Sequence, residues 1–253
     1  MNMIIDSYSN PINELVVGSI LGDGCLYKPK GCKHYQLDLS QGINQEDYIR
    51  YKTAVIKNSG FGTGKIYYYT HTDKRTNKPY TTLSSSSGVN KYFCSWAEMC
   101  YKNPYDSIFR EKRFSNEFFD YLGPLALAVW YMDDGSMYYT YDDSRKTGGF
   151  SVSLATNGFS SEINDILVEV LKDKYGVCAR KQPANNSYYL SLCKKNDIIK
   201  FIDIVSPYIV PSMKYKVDFY LQKSRALERS AVRLSTGNKM NGDSITLDVS
   251  PTT

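Results

Sequence analysis

The apolar positions along this chain fall into a series of periods, and the series occurs twice. Two stretches are apolar on nearly every side: ELVVGSILGDGCLY (Glu14 to Tyr27) and LALAVWYMDDGSMYY (Leu125 to Tyr139). Uniform apolarity of this kind predicts a helix buried against something large. Each has a start signal, Asn10-Pro11 and Gly123-Pro124, with proline at the first helical position, where its missing N–H is not needed. Each closes on Asp-Gly, and the two aspartates, Asp23 and Asp134, lie 111 residues apart.

The patterns that follow also match. After the first motif, CLYK and HYQLDLSQ alternate as strands do, and NQEDYIRYKTAVIKNSGFG has a helical period closed by glycine. GKIYYYTH and YTTLSSSS predict a hairpin around the polar turn TDKRTNKP, and NKYFCSWAEMCYK predicts a short helix. After the second motif, SMYYT and GGFSVSLAT predict strands. SSEINDILVEVLKDKYG is an amphipathic helix with Ser160 as its cap; VCARKQ and SYYLSLC flank a PANN turn; NDIIKFIDIVSPYI is helical again. The expected class is therefore α+β, with two pseudo-symmetric αββαββα halves at residues 1–110 and 124–230. RFSNEFFDYLG lies in a connection over 111–123, and the aperiodic 231–253 is expected to be a disordered tail.

A helix C-terminus carries roughly half a negative charge, so an aspartate there is badly placed for the helix. Gly18 and Ala128 offer small surfaces for close approach. If the two helices pack in parallel, both carboxylates and both negative dipole ends meet at one spot. Such a spot needs cations, and hard divalent ions with oxygen ligands answer that need. Two acids sharing divalent metals suit phosphodiester hydrolysis, in which metals activate water and stabilise the leaving oxygen.

Composition narrows the reading further. The chain is 253 residues long with a formal net charge of +5, a mild excess that suits a polyanion. Its 23 tyrosines can pack, stack and donate hydrogen bonds at one surface. Six cysteines without a CxxC pair, and no signal-peptide layout in MNMIIDSYSNP, predict free thiols in a reducing compartment. No run approaches the roughly 20 apolar residues of a membrane span. Abundant Lys, Asn, Tyr and Ile suggest an A·T-rich genome, hence an intracellular protein of an organelle (mitochondrion or chloroplast), a bacterium or a phage.

VVGSILGDG (Val16 to Gly24), LAVWYMDDG (Leu127 to Gly135) and PYIVPSMKYK (Pro207 to Lys216) resemble the LAGLIDADG homing endonucleases, specifically the single-chain branch with two motifs. The resemblance spans roughly Asn10 to Leu221 and departs from the family pattern at Ser19 and Leu21. It implies a monomeric, Mg²⁺-dependent, site-specific endonuclease that cuts double-stranded DNA and leaves short 3′ overhangs, with Mn²⁺ or Ca²⁺ substituting in binding. An RNA maturase assisting its host intron is the alternative. It implies Asp23 and Asp134 as metal ligands, with backbone carbonyls near Gly22 and Asp133. Basic residues near the scissile phosphates would be Lys216 and Lys112, with Arg113 competing for the latter place. A polar residue that orders water would be Gln41 in the first half, and Asn157 or Thr156 in the second.

The family lays two four-stranded antiparallel sheets, as a saddle, along the DNA major groove. Alternation alone selects the faces. With Leu37 and Leu39 inward, His34, Gln36, Asp38 and Ser40 face out; with Ile66 inward, so do Lys65, Tyr67, Tyr69 and His71, and Lys74 and Arg75 on the turn reach phosphates. In the second half Ser151, Ser153, Arg180, Gln182, Tyr189 and Ser191 are the outward set, opposite Val152, Leu154, Val177, Leu190 and Leu192.

Overall fold

Helix α1 (Pro11–Leu21) starts where Asn10 accepts the Ile12 N–H at 3.2 Å, and every residue after Pro11 is buried. Its counterpart α5 (Pro124–Asp134) is likewise buried from Leu125 to Met132. These contacts belong to a computed structural model, which describes residues 10–74, 76–104, 111–145 and 147–222. The two helices run side by side in parallel. Glu14 reaches the amides of Leu125 and Ala126, a Cβ on Gly18 would lie 2.5 Å from the Ala126 carbonyl, and one on Gly22 would meet Asp133. The equivalent positions of the two motifs therefore face each other.

Around this seam each half adds the expected elements. The first contributes β1 (Cys25–Tyr27), β2 (Gln36–Gly42), α2 (Glu46–Asn58), β3 (Tyr67–Thr72), β4 (Pro79–Ser86) and α3 (Tyr92–Cys100). A short helix α4 (Asn116–Asp120) lies in the connection. The second half contributes β5 (Gly135–Asp142), β6 (Thr147–Leu154), α6 (Ser161–Tyr175), β7 (Arg180–Ala184), β8 (Ser187–Leu192) and α7 (Lys195–Val205). Two antiparallel four-stranded sheets result, ordered β1-β2-β4-β3 and β5-β6-β8-β7. This is the pseudo-symmetric αββαββα architecture that the periods predict.

Local chemistry accounts for the boundaries. Ser160 caps α6 by accepting the Ile163 N–H, and Gly176 ends it in the left-handed conformation. Asn185 and Asn186, both at positive φ, make the tight turn between β7 and β8. Three strand expectations move. His34 precedes β2 and lies with Nδ1 3.5 Å from Cys94 Sγ on α3, so it is packed against a helix rather than presented on the sheet. Lys65 precedes β3, and Val177 and Ala179, both buried, lie before β7, which starts at Arg180.

Residues Met1–Lys216, both halves included, form one compact unit; Val217–Thr253 form a second, of which the described residues, 217–222, are helical. The tail expected at 231–253 lies outside the described residues. Among the described residues no helix is long and apolar enough to cross a membrane.

Candidate active site and nucleic-acid face

Neither α1 nor α5 has a basic residue in its last turn. The compensating charge comes from elsewhere in the chain. Lys112, just before α4, donates its Nζ to the Ile20 carbonyl of α1 at 2.7 Å. Lys216 donates to the Tyr131 carbonyl at 3.1 Å, to that of Met132, and to that of Gly135 at 2.8 Å at the end of α5. Ile20 and Tyr131 are separated by the same 111 residues as the aspartates, so the two lysines occupy equivalent places. Arg113, the competitor for the first place, is exposed, and its backbone N–H bonds to the Cys100 carbonyl.

The charges are strained by burial. Desolvation, then neighbouring Asp133, raises the Asp23 carboxyl, against the pull of Lys52 and Lys216. Asp134 is pushed up to about 6, first by desolvation and then by Asp23 and Asp133. Lys112 is lowered by burial, and Lys216 is pushed down to about 8 by the same cause, with the acids opposing both shifts. Two desolvated carboxyl groups that hold a proton more tightly than usual, near two half-buried ammonium groups, form a centre set apart from the ordinary surface.

Asp133 has a different fate from its neighbour. Its carboxylate crosses to the first half, where it accepts Lys52 Nζ at 2.8 Å on both oxygens, Gln41 Nε2 at 2.9 Å and the Asp23 N–H at 3.3 Å. The Lys52 and Asp133 side chains are 0% exposed. Lys52 was not among the expected site residues, although one signal points to it: it stands inside the buried stripe of α2 made by Tyr48, Ile49 and Ile56. A lysine in such a stripe requires a buried acid.

The ladder decides which residue of the second half matches Gln41. Asp38 pairs with Cys25 and Ser153 pairs with Ser136, so Gln41, three residues beyond Asp38, corresponds to Thr156. Thr156 is buried, with its hydroxyl donated to Asn164 and near the Tyr188 carbonyl. Asn157 is exposed and donates to Ser187 at the start of β8, away from the place its candidacy assumed.

The outer sheet faces carry most of the expected contact residues. On the first, Gln36, Asp38 and Ser40 of β2 align through Ser86 and Ser84 of β4 with Tyr67, Tyr69 and His71 of β3. Tyr67 and Tyr69 are 54% and 57% exposed, and Gln36 donates to Asp38 at 2.7 Å. Lys74 is exposed on the hairpin turn; Arg75 lies outside the described residues. On the second face, Ser151 and Ser153 of β6, Tyr189 of β8, and Arg180 and Gln182 of β7 share one side. Ser191 shares it too but is only 2% exposed, because Arg180 and Ser153 flank it and Cys193 lies 3.5 Å from its hydroxyl. That burial corrects its expected place on the open surface.

The sequence profile of the LAGLIDADG DNA endonuclease family matches residues 13–201. The chain belongs to this family. Two relatives described as cytochrome b mRNA maturase bI2 align with it. The one from Debaryomyces hansenii is 30% identical over 82% of this chain and 74% of its own length; that from Saccharomyces cerevisiae is 28% identical over 87% of this chain. The chain spans about half, 50%, of the length of the latter. Among solved structures, the homing endonuclease I-WcaI bound to its DNA recognition sequence superposes with a TM-score of 0.69 at 25% identity, covering 83% of this chain and 87% of that one. The LAGLIDADG homing endonuclease fold therefore extends over both halves.

Proposed function

We propose that this LAGLIDADG protein is a site-specific endonuclease that hydrolyses one phosphodiester bond in each strand of a double-stranded DNA target, with Mg²⁺ as the preferred ion and short 3′ overhangs as the product. The observation that carries the reading is the gathering of Asp23 and Asp134 at the adjoining ends of α1 and α5, where Lys112 is bonded to the last turn of α1 and Lys216 to that of α5; both ammonium groups act on Asp134, and Lys216 acts on Asp23 as well. Each half thus contributes one motif carboxylate to a shared centre with two ammonium groups, one carboxylate for each strand of the duplex.

The donor set fits hard divalent ions. Asp23 and Asp134 supply charged oxygens whose desolvation and mutual repulsion a cation relieves, and carbonyls at Gly22 and Asp133 are further oxygen donors. Among the described residues no group of three or more His, Cys, Asp or Glu surrounds one point, so the remaining ligands would be water and DNA oxygens. Bound there, such ions would supply Lewis acidity and a water of lowered pKa. Lys112 and Lys216 are placed to stabilise charge developing on the phosphates, where half-burial strengthens their field. Gln41 holds its amide between Asp133 and the Asp23 side. The serine, glutamine, arginine and tyrosine side chains of the two outer sheet faces would read base edges, and Lys74 would reach a phosphate.

The names of the two yeast relatives favour a second reading, an RNA maturase of the same fold. A randomised duplex library separates the two. The protein with Mg²⁺ is expected to cut a small set of sequences, while Asp23→Asn and Asp134→Asn bind those sequences in Ca²⁺ and leave both strands uncut. Splicing of a host intron with no cleavage of any library member would select the maturase.

A further inference from the structure

The two motifs are equivalent in sequence but their aspartates are held by different means. Asp134 is the last residue of α5, fixed within the helix. Helix α1 stops two residues short of its aspartate: Gly22 leaves the helical region at φ −105° and ψ −130° with its N–H bonded to the Gly18 carbonyl, and beyond Asp23 the Gly24 N–H returns to the Ser19 carbonyl at 2.7 Å. Asp23 therefore hangs on non-helical backbone, and its N–H is received by the carboxylate of Asp133.

That arrangement has no image in the other half. The counterpart of Asp133 is Gly22, which has no side chain. The counterpart of Lys52, six residues into its helix, is Leu167, fully buried on α6. Gln41 corresponds to Thr156, which turns to Asn164. One side holds a buried ion pair and an amide; the other holds leucine, glycine and threonine. The second half builds the same fold without the pair, so the fold does not demand it at this place. A buried pair also returns little net stability over apolar groups of similar volume. What the pair does supply is a fixed acceptor for the amide of Asp23.

We propose that Lys52 and Asp133 are positioning residues for Asp23: the ammonium group locks the carboxylate, and the carboxylate locks the backbone that presents the metal-ligand side chain. The proposal rests on the endonuclease reading for its consequence, namely that disturbing the pair impairs the cutting of one strand and spares the other. A shift of about 1 Å at a catalytic group can cost on the order of 100-fold in rate, so the bias should be large.

The test installs the other half's solution. Lys52→Leu alone would leave a buried carboxylate without its partner, so the informative protein is the double variant Lys52→Leu/Asp133→Ala, which removes both charges and keeps the backbone carbonyl at 133. Its fold is checked by circular dichroism and thermal melting. Amide hydrogen exchange of the metal-free protein should show Asp23 deprotected while amides inside α1 stay as in the parent. On a duplex recovered from the library and labelled separately on each strand, one strand should be cut at least about tenfold more slowly and the other within about twofold, so that nicked DNA accumulates. Unchanged protection of the Asp23 amide, or equal slowing of both strands, would overturn the proposal. A parent protein that cuts no library member would instead overturn the endonuclease reading, and the exchange measurement, which needs no DNA, would still decide the positioning role.

Discussion

Lys112 and Arg113 are neighbours in sequence and opposites in environment. The first is half-buried against the Ile20 carbonyl and the Phe159 ring; the second is exposed. Lys112→Ala should slow cleavage by about one to three orders of magnitude, as losing one charged transition-state group does, whereas Arg113→Ala should leave single-turnover rates near the parent. Asp134 supports a prediction about pH. Its folded-state value of about 6 lies above its ordinary 3.8, so the folded protein holds this proton more tightly than the unfolded chain. The resulting stability is full below the unfolded value and is lost as pH rises through about 6. In EDTA, the melting temperature of Asp134→Asn should therefore exceed the parent's by a margin that widens from pH 4 to pH 7; a margin that narrows would refute the assignment. Asp23 and Asp134 are legible in the repeated motifs themselves, whereas Lys112, Lys216 and Gln41 are reached only through the family resemblance. Lys52 and the side chain of Asp133 are legible in neither way, since their meaning lies in a contact between residues 81 positions apart.

At the scale of elements, uniform apolarity announced α1 and α5, and the serine cap and the closing glycine of α6 fixed that helix's ends. Alternation separated inner from outer faces wherever a helix covers the sheet. It failed on β3, where all six residues are exposed and no core imposes a period; Tyr68 is turned instead to Glu46. The contact between α1 and α5 gives the sharpest element-level prediction. A Cβ on Gly18 would fall 2.5 Å from the Ala126 carbonyl and 2.7 Å from Val129 Cβ, and the carbonyl is backbone that cannot step aside. Gly18→Leu should lower unfolding free energy by about 1–3 kcal/mol or more. It should reduce cleavage far more than affinity measured in Ca²⁺, because the sheet faces lie away from the seam. Full cleavage by a folded Gly18→Leu protein would show that the aspartates tolerate separation of the helices.

At the scale of the molecule, the halves are joined by more than apolar contact. The carboxylate of Glu14 on α1 accepts the Leu125 N–H at 2.8 Å and the Ala126 N–H at 3.2 Å, so one half caps the N-terminus of the other half's helix. Burial raises the Glu14 carboxyl, and the two amides partly offset that shift. Glu14→Ala would leave two buried donors without this acceptor, at a cost of about 1–3 kcal/mol for each amide left unsatisfied. Urea unfolding of this variant should move to lower denaturant as a single transition with an unchanged slope. A biphasic curve would mean that the halves unfold separately and that the seam does not unite them.

The one-sided ion pair also bears on how such proteins can recombine. Lys52 lies in the first half and Asp133 in the second, both with side chains wholly out of solvent. A chimera that joins residues 1–123 to the second half of a relative with no acid before its motif aspartate would strand the Lys52 ammonium group in the interior. Breaking a buried pair on one side costs about 3–5 kcal/mol, much of the stability of an ordinary domain. Lys52 and Asp133 therefore act as a compatibility lock on half-exchange, and a productive graft has to carry leucine at 52 or bring its own acid.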